Sequence, residues 1–244
     1  MHRFYAIQTE EGYALSPEDA RHALRVLRLD SGAEVEIVAG EERRLATLEV
    51  HGDRVFARPG ERLPDTEAQL RVTLYQGLPK SDKMDLIVRM ATELGAVAVQ
   101  PVIMSRSVVR PDEKDKVRRR ERWDKIAREA VKQCGRVKPP VVGEPKSLCE
   151  FESELRSHDL LLVPWELSHG SKTIASLISG EGIKKPSSVG IVIGPEGGIE
   201  EEEIVWLRDR CSAIPVSLGP RILRTETAGP AALTLVMGFA GEMV

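Results

Sequence analysis

The chain is poor in cysteine and aromatic residues, and it has no long apolar run. Its three cysteines, Cys134, Cys149 and Cys211, are odd in number, and no pair stands at C-x-x-C spacing. Neither a disulfide framework nor a zinc site is indicated, so no metal is expected. The longest apolar runs, 160–164 and 189–193, are far shorter than the roughly 20 residues of a bilayer-spanning helix. Met1-His2-Arg3-Phe4-Tyr5 lacks the apolar stretch of a secretory leader. These absences point to a cytoplasmic protein without membrane contact. Lysine is missing from residues 1–66, where nine arginines face thirteen acidic residues, and the first lysine is Lys80. No G-x-G-x-x-G and no G-K-[ST] occurs, which removes an ordinary dinucleotide fingerprint and a P-loop. There is no internal repeat and no low-complexity tract.

What remains is a globular profile: 244 residues, 41% hydrophobic and 30% charged, enough for one or two domains. A net charge of -3 does not suggest a nucleic-acid binder. Its distribution does, because residues 114–138 carry eleven basic side chains against four acidic ones. Such a block is either a footprint for phosphates or a solvated helical face laced with ion pairs, and charge alone does not choose between them.

Hydrophobic patterning divides the chain near residue 66. Before it, apolar stretches at 35–38, 45–50 and 55–57, punctuated by Gly40 and His51-Gly52-Asp53, predict a small β-rich domain. Ser16 can cap a short helix with Pro17 at its first position, carrying Ala20, Ala23, Leu24 and Leu27 on one face. Residues 59–65, with Pro59-Gly60 and Pro64-Asp65, read as a linker. After it strands and helices alternate. Strands are expected at 72–75, 97–102, 160–163, 189–193 and 214–218. Helices are expected at 83–94, 114–134, 173–178, 200–211 and 225–239. This order implies a mostly parallel sheet covered by helices on both faces, with ligands beyond the carboxyl ends of the strands.

Two strand ends carry the chemistry. Val189-Gly190-Ile191-Val192-Ile193 runs into Gly194-Pro195-Glu196-Gly197-Gly198, and Val216-Ser217-Leu218 runs into Gly219-Pro220-Arg221-Ile222-Leu223-Arg224-Thr225-Glu226-Thr227-Ala228. Glycine where a buried strand leaves a sheet lets main chain approach a flat ligand, or only makes a tight turn. Glu200 to Glu203 suit a helix N-terminus but would repel phosphates there. The ligand these loops favour is a nucleoside with a positive centre and no phosphate.

These two segments together resemble the RsmE family, the small-subunit ribosomal RNA uridine N3-methyltransferases of the SPOUT superfamily. Further matches are His22 with Val26-Leu27-Arg28, Gly77-Leu78-Pro79-Lys80 with Lys83-Met84, Glu93-Leu94-Gly95-Ala96, and Gln133-Cys134-Gly135-Arg136. The resemblance covers nearly the whole chain. One departure is Gly229-Pro230, where alanine or another apolar residue is expected; a proline in a first helical turn is tolerable.

The resemblance implies an α/β fold with a trefoil-knotted methyltransferase domain over 67–244 and a PUA-like β-barrel over 1–66 that assists RNA binding. It implies S-adenosylmethionine as cofactor, ribosomal RNA of the small subunit as partner, and a homodimer joined through the knot helices. The cofactor would lie against Gly194, Pro195, Glu196, Gly197, Gly198, Leu218, Gly219, Ile222, Leu223 and Thr227, with bulky residues at Gly194, Gly198 or Gly219 excluded by clash. Arg224 and Glu226 are the catalytic candidates: the arginine to stabilise a uridine anion, the glutamate to take the proton or orient the arginine. They could equally pair with each other as a structural clasp. Candidate RNA contacts are Arg3, Arg25, Arg28, Lys80, Lys83, Arg106, Arg110, Arg118, Arg119, Arg120 and Arg136. Two other readings stay open: a ribose 2′-hydroxyl methyltransferase of the same superfamily, and a non-catalytic ribosome-assembly factor that binds RNA through its basic segment.

Overall fold

The structure is a computed structural model that describes residues 1–244 except 11, 169–171, 181, 183 and 244. It divides into two compact units, Met1–Glu67 with Lys132–Lys138, and Ala68–Val131 with Pro139–Val244.

The first unit contains β1 (Arg3–Thr9), β2 (Gly12–Leu15), α1 (Pro17–Arg21), β3 (Glu34–Ala39), β4 (Glu42–His51) and β5 (Arg54–Arg62). The strands close into a barrel in the order β1-β2-β5-β4-β3, and the parallel pair β1–β3 completes the circle. Phe4, Val35, Ile37, Ala46, Leu48, Val55 and Ala57 point inward and fill it. Ser16 caps α1 by accepting from the Asp19 amide at 3.1 Å, with Pro17 at the first position, as its sequence foretold. Small Ala20 and Ala23 let the helical segment sit close on the barrel core.

Two features escape the apolar pattern. β1 and β2 bury only Phe4, Ala6 and Leu15, too few to mark strands by alternation. β5 runs through Pro59-Gly60 to Arg62, where the residue types suggest a linker. Pro59 stands opposite Ala46, beside the register irregularity between Arg44 and Ala46, and an irregular ladder tolerates a residue without an N–H.

In chain order the second unit holds β6 (Arg71–Gly77), α2 (Lys83–Glu93), β7 (Ala98–Ile103), α3 (Glu113–Cys134), β8 (Val141–Val142), β9 (Lys146–Ser147), α4 (Glu152–Arg156), β10 (Leu160–Pro164), α5 (Ile174–Ile178), β11 (Ser188–Ile193), α6 (Glu201–Cys211), β12 (Ile214–Val216) and α7 (Thr225–Ala240). The sheet order is β12-β10-β11-β6-β7-β8, with β9 also beside β7, and every pairing is parallel. Successive strand residues serve opposite faces. Val72, Leu74, Leu162 and Ile191 pack with α2, α3, α5 and α7. Tyr75, Leu161, Val163 and Val192 pack with α4 and α6. Burial on both faces explains why these strands read as continuous apolar runs.

From edge strand β12 the chain returns across the sheet, so that α7 packs on β11, β6, α2 and α5. The α/β fold with a small barrel is the class that the resemblance implied. Absent from the expected pattern were β8, β9 and α4. A signal just before α4 existed: Ser147 and Glu150 form a capping box on the 3-10 turn Leu148–Phe151 that leads into it, and Leu148, Phe151 and Leu155 are all buried. Pro230 lies at the sixth position of α7, beyond the first turn. It therefore denies the Glu226 carbonyl its helical N–H donor. No helix among the described residues is long and apolar enough to cross a membrane.

Under the α4–α6 face, Tyr75 Oη lies 2.9 Å from His158 Nε2, with the rings edge to face. Burial holds this imidazole below its ordinary value of 6.5; Arg71 adds to the effect and Asp159 opposes it. A histidine with a depressed folded pKa binds fewer protons folded than unfolded. Its stabilisation is therefore present above 6.5 and is lost as pH falls from there through the folded pKa. Urea midpoints at pH 8 and pH 5 should fall further apart in the native protein than in His158→Gln; equal differences would show that this ring contributes nothing.

Candidate active site

Because the sheet is parallel, the carboxyl ends of β6, β10, β11 and β12 share one edge. Residues 194–198 leave β11 there, 217–224 leave β12, and Pro164-Trp165-Glu166 leave β10. Together with the first turn of α7 and Lys83 of α2 they enclose a cavity of about 490 Å³. Beside it lies a smaller hollow of about 80 Å³, lined by Trp165, Ser217, Leu218, Gly219 and Arg221 among others. Pro164, Glu166, Ile222, Leu223 and Ala228 line both, which makes them two lobes of one cleft.

The glycine loop is held by close main-chain contacts. A Cβ on Gly77 would lie 2.5 Å from Pro195 N and 2.7 Å from Gly194 C, so the end of β6 must be glycine to meet this loop. A Cβ on Gly194 would meet Ile199 Cγ1 at 2.8 Å. The clash expected at Gly194 is thus with its own loop. At Gly219 nothing lies within 4 Å of such a Cβ, and the objection to a side chain is its φ of +109°. Arg106 braces the loop from outside by donating from Nη1 to the Gly197 carbonyl at 2.9 Å. The acidic helix start serves α6 itself: Glu200 and Glu203 form a capping box, and Glu203 also accepts from the Ser105 amide at 2.9 Å.

At the cleft, Lys83 Nζ sits between two carboxylates, 3.0 Å from Glu196 and 3.1 Å from Glu226. Both contacts hold the ammonium above its ordinary pKa. Glu226 is held below the usual carboxylate range by its own main-chain N–H, then by Lys83, with burial opposing. In Glu196 burial pushes upward but is outweighed by its own amide, Lys83 and the Lys80 amide. Arg224, at the N-cap of α7, lines the cavity and forms no ion pair among the described residues. The clasp of Arg224 on Glu226 is therefore not what forms; Lys83 takes that partner.

Of the cofactor candidates, Gly194, Pro195, Glu196, Gly197 and Gly198 line the large lobe, Leu218 and Gly219 the small one, and Ile222 and Leu223 both. Thr227 does not join them. It faces a separate, mostly apolar hollow with Leu86, Met90, Leu94, Pro230 and Ala231, because the 100° step of the helix turns it away from Arg224 and Ala228; Glu226 lines this hollow too and reaches the cleft only through its ion pair with Lys83. Trp165 and Glu166, on the cleft but outside the glycine motifs, carry no signal in the sequence beyond following a strand end.

The basic candidates separate sharply. Arg3 forms a two-pronged bond to buried Glu36 at 2.7 and 2.8 Å, with Arg43 on the same carboxylate at 2.6 Å. Arg136, 6% exposed at its side chain, is paired with Glu67 at 2.7 Å. Both are therefore engaged in ion pairs inside the first unit, where these arginines were expected to meet RNA. Arg118 pairs with Asp115, Arg120 with Glu144, and Arg110 donates to the Ser105 carbonyl; all three remain exposed. Arg119 keeps a buried Nε without a partner. Arg25, Arg28 and Lys80 are exposed, with no ion pair among the described residues.

Comparison with known proteins now bears on this geometry. Residues 66–237 match the model of an RNA methyltransferase domain. The ribosomal RNA small subunit methyltransferase E of Bacillus subtilis is 34% identical over 235 residues, 94% of this chain and 91% of that protein. The chain belongs to this RNA methyltransferase family. A Neisseria gonorrhoeae ribosomal RNA small subunit methyltransferase E solved with S-adenosylmethionine matches with a TM-score of 0.77 and 28% identity, covering 98% of this chain and 97% of that one. A Legionella pneumophila protein solved with the same cofactor matches at 0.78 and 31%, covering 97% and 96%.

Arg136→Ala leaves the Glu67 carboxylate half-buried without its cation, and should lower folding stability by about 3 kcal/mol. Arg118→Ala removes an exposed pair and should cost less than about 0.5 kcal/mol. Urea denaturation of both variants checks the contrast.

Proposed function

We propose that this protein transfers a methyl group from S-adenosylmethionine to N3 of a uridine in small-subunit (16S) ribosomal RNA, in the cytoplasm and as a homodimer. The observation that carries the reading is the cleft formed by the two glycine-bearing loops at the sheet's carboxyl edge, in a chain of this family. Its charge fits the cofactor. Glu166 and Glu196 present carboxylates to the cavity, so the site suits a cationic nucleoside. The main chain of 194–198 and 218–223 would take the adenosine, and Ile222 and Leu223 would exclude water from it.

The cofactor supplies an already activated methyl group. The protein therefore has to orient the acceptor and deal with its proton. Uridine N3 carries a weakly acidic hydrogen. A carboxylate held below its ordinary pKa is a poor acceptor for such a proton, so Glu226 acts chiefly on the cations beside it. Arg224, uncommitted and on the cavity wall, stabilises the negative charge that develops on the base. The acceptor uridine must be unpaired or turned out of its helix to expose N3.

We assign residues 1–66 as a PUA-like RNA-binding domain and 67–244 as the catalytic domain. Exposed Arg25, Arg28 and Lys80 are the best phosphate contacts. The apolar hollow on α2 and α7, where Thr227 lies, together with half-exposed Leu235 and Phe239, suits a second copy of the chain.

The direct test is methyl transfer from labelled S-adenosylmethionine to small ribosomal subunits that lack the modification, mapped by reverse transcription. An N3-methyl blocks base pairing and should stop the polymerase at one uridine. Label without a stop would favour a ribose 2′-hydroxyl, and no label with no cofactor binding would leave an assembly factor. In the same assay Arg224→Ala should lose on the order of 100-fold in kcat, and Glu226→Gln less. Wild-type turnover in both would remove these residues from the mechanism.

A further inference from the structure

Gln76, the residue before the last of β6, is completely buried. Its Nε2 donates to the Gly77 carbonyl at 3.1 Å and to Thr225 Oγ1 at 2.8 Å. Thr225 in turn donates to the Gly194 carbonyl at 2.7 Å. One chain of hydrogen bonds thus joins the end of β6, the first residue of α7 and the first residue of the glycine loop. Thr225 stands between Arg224 and Glu226 in sequence, so whatever fixes it fixes the helix turn that carries both.

The other end of the amide makes no such use of its surroundings. Gln76 Oε1 is buried without a hydrogen-bond partner. A Cβ at Gly229 would stand 3.0 Å from it, which gives a reason for glycine where an apolar residue was expected. A buried acceptor without a donor destabilises a fold. For packing alone, an apolar side chain of the same length would serve better. The amide has a use only through its donor.

We infer that Gln76 is a positioning residue, which through Thr225 locks the cofactor loop and the Arg224–Glu226 turn into one register. This rests on the methyl-transfer reading above. Two sites that must present donor and acceptor to each other are held by a single side chain that touches neither reactant.

The test compares full-length native protein with Gln76→Met, Thr225→Val, Thr225→Ser and the double variant Gln76→Met/Thr225→Val. Gln76→Met should keep or raise the melting temperature while kcat falls about 10- to 100-fold, with KM for the RNA within about threefold. Thr225→Val should fall as far, Thr225→Ser should keep native kcat, and the double variant should be no worse than either single one. Native kcat in Gln76→Met, a loss in Thr225→Ser equal to that in Thr225→Val, or losses that multiply in the double variant would each overturn the assignment. Should Gln76→Met not fold, the two Thr225 variants decide alone. Failure of the methyl-transfer reading looks different, because the native protein then yields no product. In that case amide hydrogen exchange at 194–198 and 224–228 decides: faster exchange at both in Thr225→Val than in Thr225→Ser supports the lock, and unchanged exchange overturns it.

Discussion

Main chain meets main chain where β6 ends against the glycine loop, and much of the catalytic unit is arranged around that contact. With a Cβ on Gly77 only 2.5 Å from Pro195 N, no side chain fits between them. β6 and β11 are neighbours in register from Arg71 opposite Ser188 to Gln76 opposite Ile193, so the contact is simply the next step of the ladder. The loop cannot fold away from the sheet, and it turns instead toward β10 and α7, where the cleft forms. Lys80 and Lys83, a few residues beyond Gly77, reach Glu196 of the same loop, one through its amide and one through its ammonium. Strand pairing at the sheet centre thereby sets the position of a charged cluster at its edge.

Charge in this protein is mostly spent internally. The block at 114–138 suggested a phosphate footprint, yet Arg118, Arg120, Arg122 and Arg128 all meet carboxylates. Exposed pairs of this kind are weak and can exchange for RNA phosphates. Buried ones cannot, since removing the arginine leaves its carboxylate in a poor solvent for charge. That difference separates Arg136 from Arg118, although both are arginines in one basic stretch.

How much of this was legible beforehand depended on burial. Strands buried on both faces, such as Val189-Gly190-Ile191-Val192-Ile193, announce themselves as apolar runs, and their order gave the parallel sheet. Strands half-covered in a small barrel, such as β1 with Arg3, Tyr5 and Ile7 facing outward or at the margin, do not. The glycine loops were legible through the resemblance of the two segments together, because glycine at a strand end alone can equally make a tight turn. Thr227 lies off the cleft because a motif read as a string hides the helix phase, which turns one residue in a row away from its neighbours. Glu166 and Trp165 were invisible, since nothing local distinguishes them from any residue after a strand. Partners were least legible of all: no spacing rule could join Lys83 to Glu226 or Gln76 to Thr225, the latter 149 residues apart.

The assignment of Lys83 changes how the chemistry should be viewed. Had Arg224 been neutralised by Glu226, the cleft would hold one closed ion pair and no cation ready for a nascent anion. With Lys83 taking both Glu196 and Glu226, the arginine at the cavity wall forms no ion pair among the described residues. The two carboxylates remain ionised at neutral pH, as their lowered pKa values require. On the proposed reading, Glu196 makes the cavity wall negative toward a cationic cofactor and Arg224 offers a local positive charge for the base. A site that binds a cation and also stabilises an anion needs its charges kept apart, and in the proposed reaction the lysine between the two glutamates would keep them so.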